Sequence, residues 1–259
     1  MISKEQIAAD YRQIQDEICS GLELVDGLGK FQEEVWEREG GGGGRTRVIQ
    51  QGNVLEKGGV NFSAVEGKLP EPVKKAFKVD EEDFFATGVS IVIHPNHPWV
   101  PIIHMNIRYF EMSDQVRWFG GGIDLTPHYV INEDAQFFHQ YLKSVCDQFH
   151  ADFYTKFKNW ADDYFFNTHR EETRGIGGIF FDYVKSKNIE EKMKVFDFVK
   201  SVGESFADIY SHLMVENALK PFGKKEKDFQ LLRRGRYVEF NLVHDRGTKF
   251  GLETNGRTE

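Results

Sequence analysis

The stretch TGVSIVIHPNHPWVPIIHMNIRYF, residues 87–110, specifies the architecture of this chain more directly than any other. Apolar and polar residues alternate in each half, which is the period of a β-strand because successive side chains point to opposite faces. The proline-rich segment 95–101 between the halves cannot continue either strand. The pattern predicts two antiparallel strands that share an apolar face and carry polar side chains on the other: Ser90, His94, His104, Asn106 and Arg108.

The polar face of this predicted hairpin indicates a functional site. Histidine, amide and guanidinium groups are costly to bury unless they make compensating interactions. Their concentration on one face of two neighbouring strands therefore predicts the floor of a polar pocket. The chain also contains 23 Phe, and aromatic residues reach 14%, which favours aromatic layers or walls for a flat ligand.

Hydrophobic periodicity predicts an α+β fold for the whole chain. Helical spacing of apolar residues is found in the segments 3–20, 132–164 and 188–217. Strand patterns are found in the segments 31–36, 52–67, 87–110, 115–126, 174–183 and 235–245. Because the sequence shows neither an internal repeat nor a domain boundary, it predicts a single domain over 1–259, with a mostly antiparallel sheet flanked by helices.

The five consecutive glycines at 40–44 predict a flexible loop, because glycine loses more conformational freedom than other residues in a helix or strand. We interpret this loop as the tip of a hairpin. The alternative is a lid that brings Arg45 and Arg47 over a site. A phosphate-binding loop is not favoured, since no Lys-Ser/Thr pair follows the glycines.

Composition argues against several classes of protein. The formal net charge of −8 argues against nonspecific nucleic-acid binding, which needs a basic surface. No run approaches the roughly 18 apolar residues of a membrane span. The two cysteines, Cys19 and Cys146, lack CxxC spacing and favour a reduced, cytoplasmic protein without structural disulfides.

Arginine and histidine residues are the main candidates for chemistry. Four arginines would form an anion site if the fold brings them together: Arg108, Arg174, Arg246 and Arg257. Four histidines are candidate metal ligands or, alternatively, acid–base and hydrogen-bonding groups, since their spacing matches no metal motif: His94, His104, His139 and His169. The sequence contains no motif for nicotinamide, nucleotide or serine-hydrolase chemistry.

Six runs of the sequence resemble the oxygen-dependent coproporphyrinogen-III oxidase family. They are GGGGRTRV (41–48), EKGGVNFS (56–63), HPNHPWVPIIHMNIRYF (94–110), WFGGGIDLTPHY (118–129), RGIGGIFFDY (174–183) and FQLLRRGRYVEFNLVHDRGTKFGLETNGRTE (229–259). The resemblance implies a large, mostly antiparallel, flat β-sheet sandwiched between helices, and it implies a homodimer.

The resemblance also implies an activity in haem biosynthesis. The family converts two propionate side chains of coproporphyrinogen III to vinyl groups by oxidative decarboxylation, giving protoporphyrinogen IX, CO2 and H2O2. Molecular oxygen is the oxidant, so no cofactor is implied to be required, with a divalent metal as the alternative. The implied partners are coproporphyrinogen III, O2 and a second copy of the chain, without nucleic acid or a membrane span.

Matching the family's motifs residue by residue assigns a candidate site. His104 matches the proton-donor histidine, and Asp245 and Arg246 match an Asp-Arg pair at the pocket, so these three are interpreted as catalytic. The matches to substrate contacts are Ser90, Asn106, Ile107, Arg108, Asn255, Gly256 and Arg257. The matches to histidines that ligate a metal in some members are His94, His104, His139 and His169. In this interpretation arginines hold the propionates, and Asp245 accepts hydrogen bonds from pyrrole N–H groups.

Two features depart from the family pattern. His244 stands where the family usually has Trp, and family members continue beyond the position of Glu259. The chain is therefore expected to lack the family's C-terminal segment and part of its dimer contact. Two alternatives to the oxidase stay open, namely a metal-dependent oxidase or oxygenase that uses the four histidines, and a tetrapyrrole-binding protein without turnover.

Overall fold

The computed structural model describes residues 2–69, 74, 83–112 and 116–253. Its strands are β1 (Gln32–Glu37), β2 (Gly42–Gln50), β3 (Leu55–Lys68), β4 (Asp83–Pro95), β5 (Ile102–Glu111), β6 (Arg117–Thr126), β7 (Phe166–Asn167), β8 (Glu172–Thr173) and β9 (Gly178–Val184). Its helices are α1 (Lys4–Asp26), α2 (Asn132–Asp147), α3 (Phe153–Tyr164), α4 (Ile189–Asn217), α5 (Lys224–Val243) and α6 (Arg246–Glu253).

The main sheet is antiparallel throughout, in the order β1-β2-β3-β4-β5-β6-β9, and β7 and β8 form a separate ribbon. Strands that follow one another in the chain pair with one another up to β6, and β9 joins the edge after α2 and α3. The fold is a single α+β domain, as the periodicities predicted. Among the described residues, no helix combines the length and the apolar composition needed to cross a membrane.

The hairpin predicted for residues 87–110 is formed by β4 and β5. Val89 pairs with Ile107, and Ser90 pairs with Asn106. The apolar side chains therefore share one face of the sheet and the polar side chains share the other.

The apolar face of the sheet forms the core with helices α1 and α4. Val60, Val89, Ile107 and similar residues on this face are fully buried in one continuous cluster. Gly203 of α4 permits close packing, since a Cβ there would lie 2.8 Å from Cδ1 of Ile107 and 3.0 Å from Cδ1 of Ile14 on α1. Because the helices pack on this face, the polar face is left for a site.

Residues 235–245 are helical up to residue 243 rather than forming the strand that their alternation predicted. They belong to the last turns of α5 and its C-terminal end. Tyr237 and Phe240 are buried, whereas Val238 and Leu242 are exposed. This spacing is that of a helix packed along one side. The alternating pattern was misleading because some of its apolar side chains face solvent.

The glycine run is more regular than the sequence predicted. Gly42 and Gly44 are part of strand β2, and only residues 38–41 form the predicted hairpin tip. Glycine is needed in the strand because of close approach. A Cβ on Gly42 would lie 2.2 Å from the oxygen of Ala64, and a Cβ on Gly44 would lie 2.3 Å from Cζ2 of Trp36.

Arg45 and Arg47 do not form a lid over the polar face. Arg45 is buried, and it donates to Oε1 of Gln15 at 2.6 Å and to Oδ1 of Asp16 at 2.7 Å. Arg47 pairs with the same Asp16 oxygen at 2.7 Å. The two arginines therefore tie β2 to α1, so the lid interpretation is wrong.

Candidate active site

A cavity of about 390 Å³ lies on the polar face of the sheet, over β4, β5, β6 and β9. The ends of α3 and α5 and the first turn of α6 enclose it. It is lined by Ser90, Val92, His104, Asn106, Arg108, Gly121, Gly122, Tyr164, Phe165, Arg174, Phe180, Asp182, Tyr237, Asn241, Asp245, Arg246, Gly247 and Thr248. The polar face of the β4–β5 hairpin therefore supplies the floor of the cavity.

Strand register sets the middle of this floor. Asn106 of β5 pairs with Ser90 of β4 on one side and with Gly122 of β6 on the other. Oδ1 of Asn106 is buried and has no hydrogen-bond partner among the described residues. A buried acceptor without a donor costs roughly 1–3 kcal/mol, so this oxygen is available to an N–H group of a ligand.

His104 is held by a buried carboxylate. Its Nδ1 lies 2.8 Å from Oδ1 of Asp124, the residue opposite it across the β5–β6 ladder. Burial alone would raise the pKa of Asp124, but the charge of Arg174 and the hydrogen bonds from His104 and Arg174 outweigh burial and lower that pKa. Because an ionised carboxylate only accepts hydrogen bonds, Nδ1 of His104 carries a proton and Nε2 is left for other partners.

Arg174 completes this buried network. Its Nη2 donates to both oxygens of Asp124 at 2.7 Å, and its Nη1 donates to Oδ1 of Asn241 on α5 at 2.8 Å. The guanidinium carbon lies 4.3 Å from the ring centre of Phe165 and 4.9 Å from that of Phe240. Burial would lower the pKa of Arg174, but Asp124 outweighs burial and raises it. Arg174 is thus committed to a buried protein carboxylate, with its side chain 2% exposed.

Arg108 lies on the same floor and pairs with a carboxylate from strand β9. Its Nη2 is 2.8 Å from Oδ2 of Asp182, and the Arg108 side chain is 41% exposed. Gly120, which pairs with Arg108 across the ladder, leaves space for this contact. A Cβ on Gly120 would lie 2.7 Å from Nε of Arg108. The guanidinium is therefore positioned by the sheet but accessible from the cavity.

Asp245 immediately precedes helix α6 and uses both carboxylate oxygens in the protein. Oδ2 accepts from the backbone N–H of Thr248 at 2.7 Å and from its hydroxyl at 2.9 Å, which is an N-cap interaction. Oδ1 accepts from the hydroxyl of Tyr164 at 3.0 Å. Since a carboxylate oxygen accepts more than one hydrogen bond, Asp245 retains the capacity to accept from a ligand N–H.

Tyr164 and Phe180 form an aromatic wall that ends in Arg246. The two rings are parallel within 10°, with their centres 4.2 Å apart. The guanidinium carbon of Arg246 lies 5.2 Å from the Tyr164 ring, and Arg246 is exposed in the cavity. Burial and the carboxylate of Asp245 raise the pKa of Tyr164 to about 12, so its hydroxyl stays a donor at neutral pH.

The remaining predicted substrate contacts lie elsewhere. Ile107 lies between Asn106 and Arg108 in β5, but its side chain points to the other face and is fully buried in the core. Ile107 is therefore not among the residues that line the cavity. Outside the described residues lie the other three predicted contacts: Asn255, Gly256 and Arg257.

The candidate metal-binding histidines have separate partners. His139 uses both ring nitrogens, with the oxygen of Ile176 at 3.0 Å and the hydroxyl of Tyr154 at 3.1 Å. His94 packs edge-on against Tyr237, with ring centres 5.4 Å apart. Within 2–69, 74, 83–112 and 116–253, no three His, Cys, Asp or Glu side chains are arranged to hold a metal ion. The histidines therefore do not fit a shared metal site.

His169 belongs to a cluster that attaches the β7–β8 ribbon to α5. Its Nδ1 lies 3.0 Å from Nε2 of His244, and its Nε2 lies 2.6 Å from Oε1 of Glu239. Arg170 donates to the other Glu239 oxygen at 2.7 Å. The hydrogen bonds from Arg170 and His169 lower the pKa of Glu239 to about 2. His244, which departs from the family pattern, thus pairs with His169.

Sequence reasoning missed Asp124 and Tyr164. Asp124 has a detectable signal, because it is a lone carboxylate within the strand pattern of residues 115–126. Tyr164 has none, since its partner Asp245 follows 81 residues later and meets it only through helix packing.

The fold and the cavity define an α+β protein whose antiparallel sheet carries a pocket lined by arginine, histidine, carboxylate and aromatic side chains. The chain belongs to the coproporphyrinogen III oxidase family, whose model matches residues 6–259. It is similar to the oxygen-dependent coproporphyrinogen-III oxidases of Prochlorococcus marinus strains NATL1A and NATL2A. Each is 47% identical over 271 residues, an alignment that covers 95% of this chain and 78% of the relative.

Proposed function

We propose that this protein acts as an oxygen-dependent coproporphyrinogen-III oxidase in haem biosynthesis. For each of two propionates the reaction is R–CH2–CH2–COO⁻ + O2 + H⁺ → R–CH=CH2 + CO2 + H2O2, in which the side chain loses two electrons to oxygen. Two such steps convert coproporphyrinogen III to protoporphyrinogen IX. The family match over residues 6–259 carries the proposal, because it includes every element that lines the cavity.

The charged and aromatic side chains of the cavity support the proposal that the substrate is flat and carries carboxylate side chains. Arg108 and Arg246 would bind propionates, since a guanidinium group pairs with a carboxylate in bidentate geometry. Tyr164 and Phe180 offer a flat apolar surface to a pyrrole ring. The unpartnered Oδ1 of Asn106 would accept a hydrogen bond from a pyrrole N–H.

Two further sets of substrate contacts are part of the proposal. Ser90 would contact the substrate beside Asn106 on the floor of the cavity. The segment 255–257 would supply Arg257 as a third arginine that binds a propionate carboxylate.

Proton transfer is assigned to His104 and Asp245. Removal of a pyrrole N–H proton makes the tetrapyrrole electron-rich enough to pass electrons to O2, and the protein supplies orientation and charge stabilisation. His104 is suited to exchange a proton with the substrate, because Asp124 holds its Nδ1 and leaves Nε2 directed to other partners. Asp245 accepts from the pyrrole N–H, and Arg246 stabilises negative charge that develops beside it.

We propose that neither a metal ion nor an organic cofactor is required. The hydrogen bonds that occupy both ring nitrogens of His139, and those of His169 to His244 and Glu239, support this proposal. A chelator should accordingly leave the activity unchanged.

We also propose that the protein is a cytoplasmic homodimer. Helix α5 supports the dimer, because Leu231, Val238 and Leu242 form an exposed apolar stripe on its outer side. Free, buried cysteines support a reducing compartment: burial raises the pKa of Cys19 to about 11 and that of Cys146 to about 12, which keeps both thiols unreactive.

Oxygen uptake by the purified protein with coproporphyrinogen III tests the proposed function. We expect one O2 consumed and one H2O2 formed per vinyl group, with equal rates in the presence and absence of a chelator. Product formation under strict anoxia would contradict the oxidase. Loss of activity on chelation, with recovery on adding metal, would establish the metal-dependent alternative. Substrate binding without oxygen uptake would establish a binding protein without turnover.

A further inference from the structure

Strand β9 contains a β-bulge beside the cavity. Two of its residues, Asp182 and Tyr183, lie opposite the single residue Gly120 of β6. Tyr183 has a φ of 50°, in the left-handed region that a bulky residue rarely adopts. Bulges beside functional sites redirect side chains, and backbone strain of this kind tends to mark a functional constraint.

The bulge directs Asp182 at Arg108. Oδ2 of Asp182 lies 2.8 Å from Nη2 of Arg108, while its Oδ1 accepts from the backbone N–H of Tyr183 at 2.9 Å. A Cβ on Gly120 would stand 2.6 Å from Oδ1 of Asp182 and 2.7 Å from Nε of Arg108, so the ion pair lies directly over the glycine. The bulge, the strained residue and the glycine therefore all adjoin this one ion pair.

The ion pair lies where a ligand carboxylate would bind. Both side chains line the cavity, and the Arg108 side chain is 41% exposed while that of Asp182 is 16% exposed. Arg108 has five N–H donors in all. Arg108 therefore has N–H donors for a ligand carboxylate, but its positive charge is already balanced by Asp182.

We propose that the carboxylate of Asp182 competes with ligand carboxylates for Arg108. It holds the guanidinium in place in the empty cavity and weakens the binding of any ligand carboxylate that takes Arg108. A ligand with several carboxylates overcomes this competition through its other contacts, for example with Arg246, whereas a monocarboxylate does not. Asp182 thus makes retention of a ligand depend on contacts beyond the one with Arg108. This inference rests on the proposed function, which identifies the competing ligand as a tetrapyrrole propionate.

Asp182→Asn provides the test, because it removes the charge but keeps an oxygen that accepts from the Tyr183 N–H. Coproporphyrin III, the unreactive aromatic form of the substrate, is titrated by fluorescence into wild-type and variant protein. We expect the Kd of the variant to be about tenfold lower, the order expected for removing one charge a few ångströms away at a partly exposed site. The KM for coproporphyrinogen III should fall as well. The tetramethyl ester of coproporphyrin III should bind both proteins equally.

Asp162→Asn is the matched control. Asp162 pairs with Lys158 at 2.5 Å on α3 and is not among the residues that line the cavity, so this variant changes the net charge equally and should leave Kd unchanged. Asp182→Ser provides a second variant should Asp182→Asn fail to fold, with the same expected fall in Kd.

Three outcomes overturn the inference. An unchanged or higher Kd in folded Asp182 variants would mean that Asp182 only supports Arg108. An equal fall in Kd in the Asp162 variant would mean that the gain in affinity comes from the change in net charge and not from the Arg108 site. Wild-type protein that neither binds coproporphyrin III nor consumes oxygen would overturn the proposed function together with the inference, whereas normal wild-type binding without the gain in the variants overturns the inference alone.

Discussion

Asp124 is the residue that connects the chemistry of the cavity floor to the stability of the fold. It is 1% exposed, yet its carboxylate accepts hydrogen bonds from both His104 and Arg174. Charges are tolerated at such depth only when they are paired and hydrogen-bonded. The same three side chains therefore orient the candidate proton carrier and pair the buried charges of Asp124 and Arg174.

Asp124→Asn is expected to damage both properties. The change keeps the shape of the side chain but leaves Arg174 without a counter-ion, so the free energy of unfolding should fall by about 3–5 kcal/mol in urea denaturation. The kcat for oxygen uptake should fall about 100-fold, because His104 loses the carboxylate that fixes its ring orientation and tautomer. The double variant Asp124→Asn/Arg174→Gln should recover part of the stability but none of the activity. Wild-type kcat in the single variant would rule out the role assigned to Asp124.

His128 is a second buried residue whose protonation state matters. Its Nδ1 lies 3.0 Å from the oxygen of Pro98, and because a carbonyl only accepts, Nδ1 carries a proton. Nε2 is buried without a partner in the described part of the chain. Burial lowers the pKa of His128 to about 4, so the neutral imidazole is the form that the fold accommodates.

The lowered pKa of His128 predicts acid destabilisation. The unfolded pKa is about 6.5, so between pH 6.5 and 4 the unfolded chain binds more protons than the folded protein. The stability that His128 contributes above pH 6.5 is therefore lost as the pH falls through this window, by an amount on the order of 3 kcal/mol at pH 4. His128→Asn keeps a donor for Pro98 but does not titrate, so its unfolding free energy should change less between pH 7 and 4. Identical pH profiles for the two proteins would contradict this expectation.

What the sequence reveals about single residues depends on how local their contacts are. Arg108 and His104 could be placed on one face because strand alternation is a property of neighbouring residues. Arg174 was recognised as an arginine but not as the partner of Asp124, which lies 50 residues away in the chain. Such pairs depend on register and packing, which no local pattern encodes.

At the scale of elements, strand β6 shows why a run of glycines belongs in a strand beside the site. Gly120 lies under the Arg108–Asp182 pair, and Gly122 lies beside Asn106. The strand pattern predicted for residues 115–126 includes this run, whose glycines allow other groups to approach the backbone closely. The approach is made by side chains of the neighbouring strands and, in the proposed function, by the substrate.

Helix α5 is the element that sequence reasoning assigned wrongly. Local alternation cannot distinguish a strand from a helix whose outer side is also apolar, and α5 has exposed Leu231, Val238 and Leu242. The β4–β5 hairpin was predicted correctly because prolines bound the turn between its strands and its other face is mostly polar.

Gly120→Ala should disturb the site without unfolding the sheet. A Cβ at this position would stand 2.6 Å from Asp182 and 2.7 Å from Arg108, so the ion pair must shift. We expect the KM for coproporphyrinogen III to change at least fivefold, with a loss of stability of about 1–3 kcal/mol from overpacking. Gly59→Ala is the control on the same face, because its Cβ would meet nothing closer than 3.6 Å. Equal kinetic effects of the two substitutions would contradict the specific role of Gly120.

At the scale of the whole molecule, the two faces of the sheet are used differently. One face is closed by α1 and α4 into a continuous core, and the other carries the cavity. Helix α5 links the cavity to the outside, because Tyr237 and Asn241 line the cavity while Leu242 is 61% exposed on the outer side. A partner that packs on the outer side of α5 would therefore also stabilise one wall of the cavity.

The proposed homodimer can be tested at this outer side. In a two-fold symmetric interface each substitution acts twice, so Leu242→Lys should raise the dimer dissociation constant at least 100-fold by removing two apolar contacts and placing two charges there. Sedimentation equilibrium at micromolar concentration should show wild-type dimer and variant monomer. Val215→Lys, at a site 62% exposed on α4, is the matched control and should remain dimeric. The kcat of the Leu242 variant should fall with dilution as monomer accumulates, because α5 then loses its support. A wild-type protein that stays monomeric up to millimolar concentration would refute the dimer. A Leu242→Lys protein that stays dimeric would show that the interface does not involve the outer side of α5.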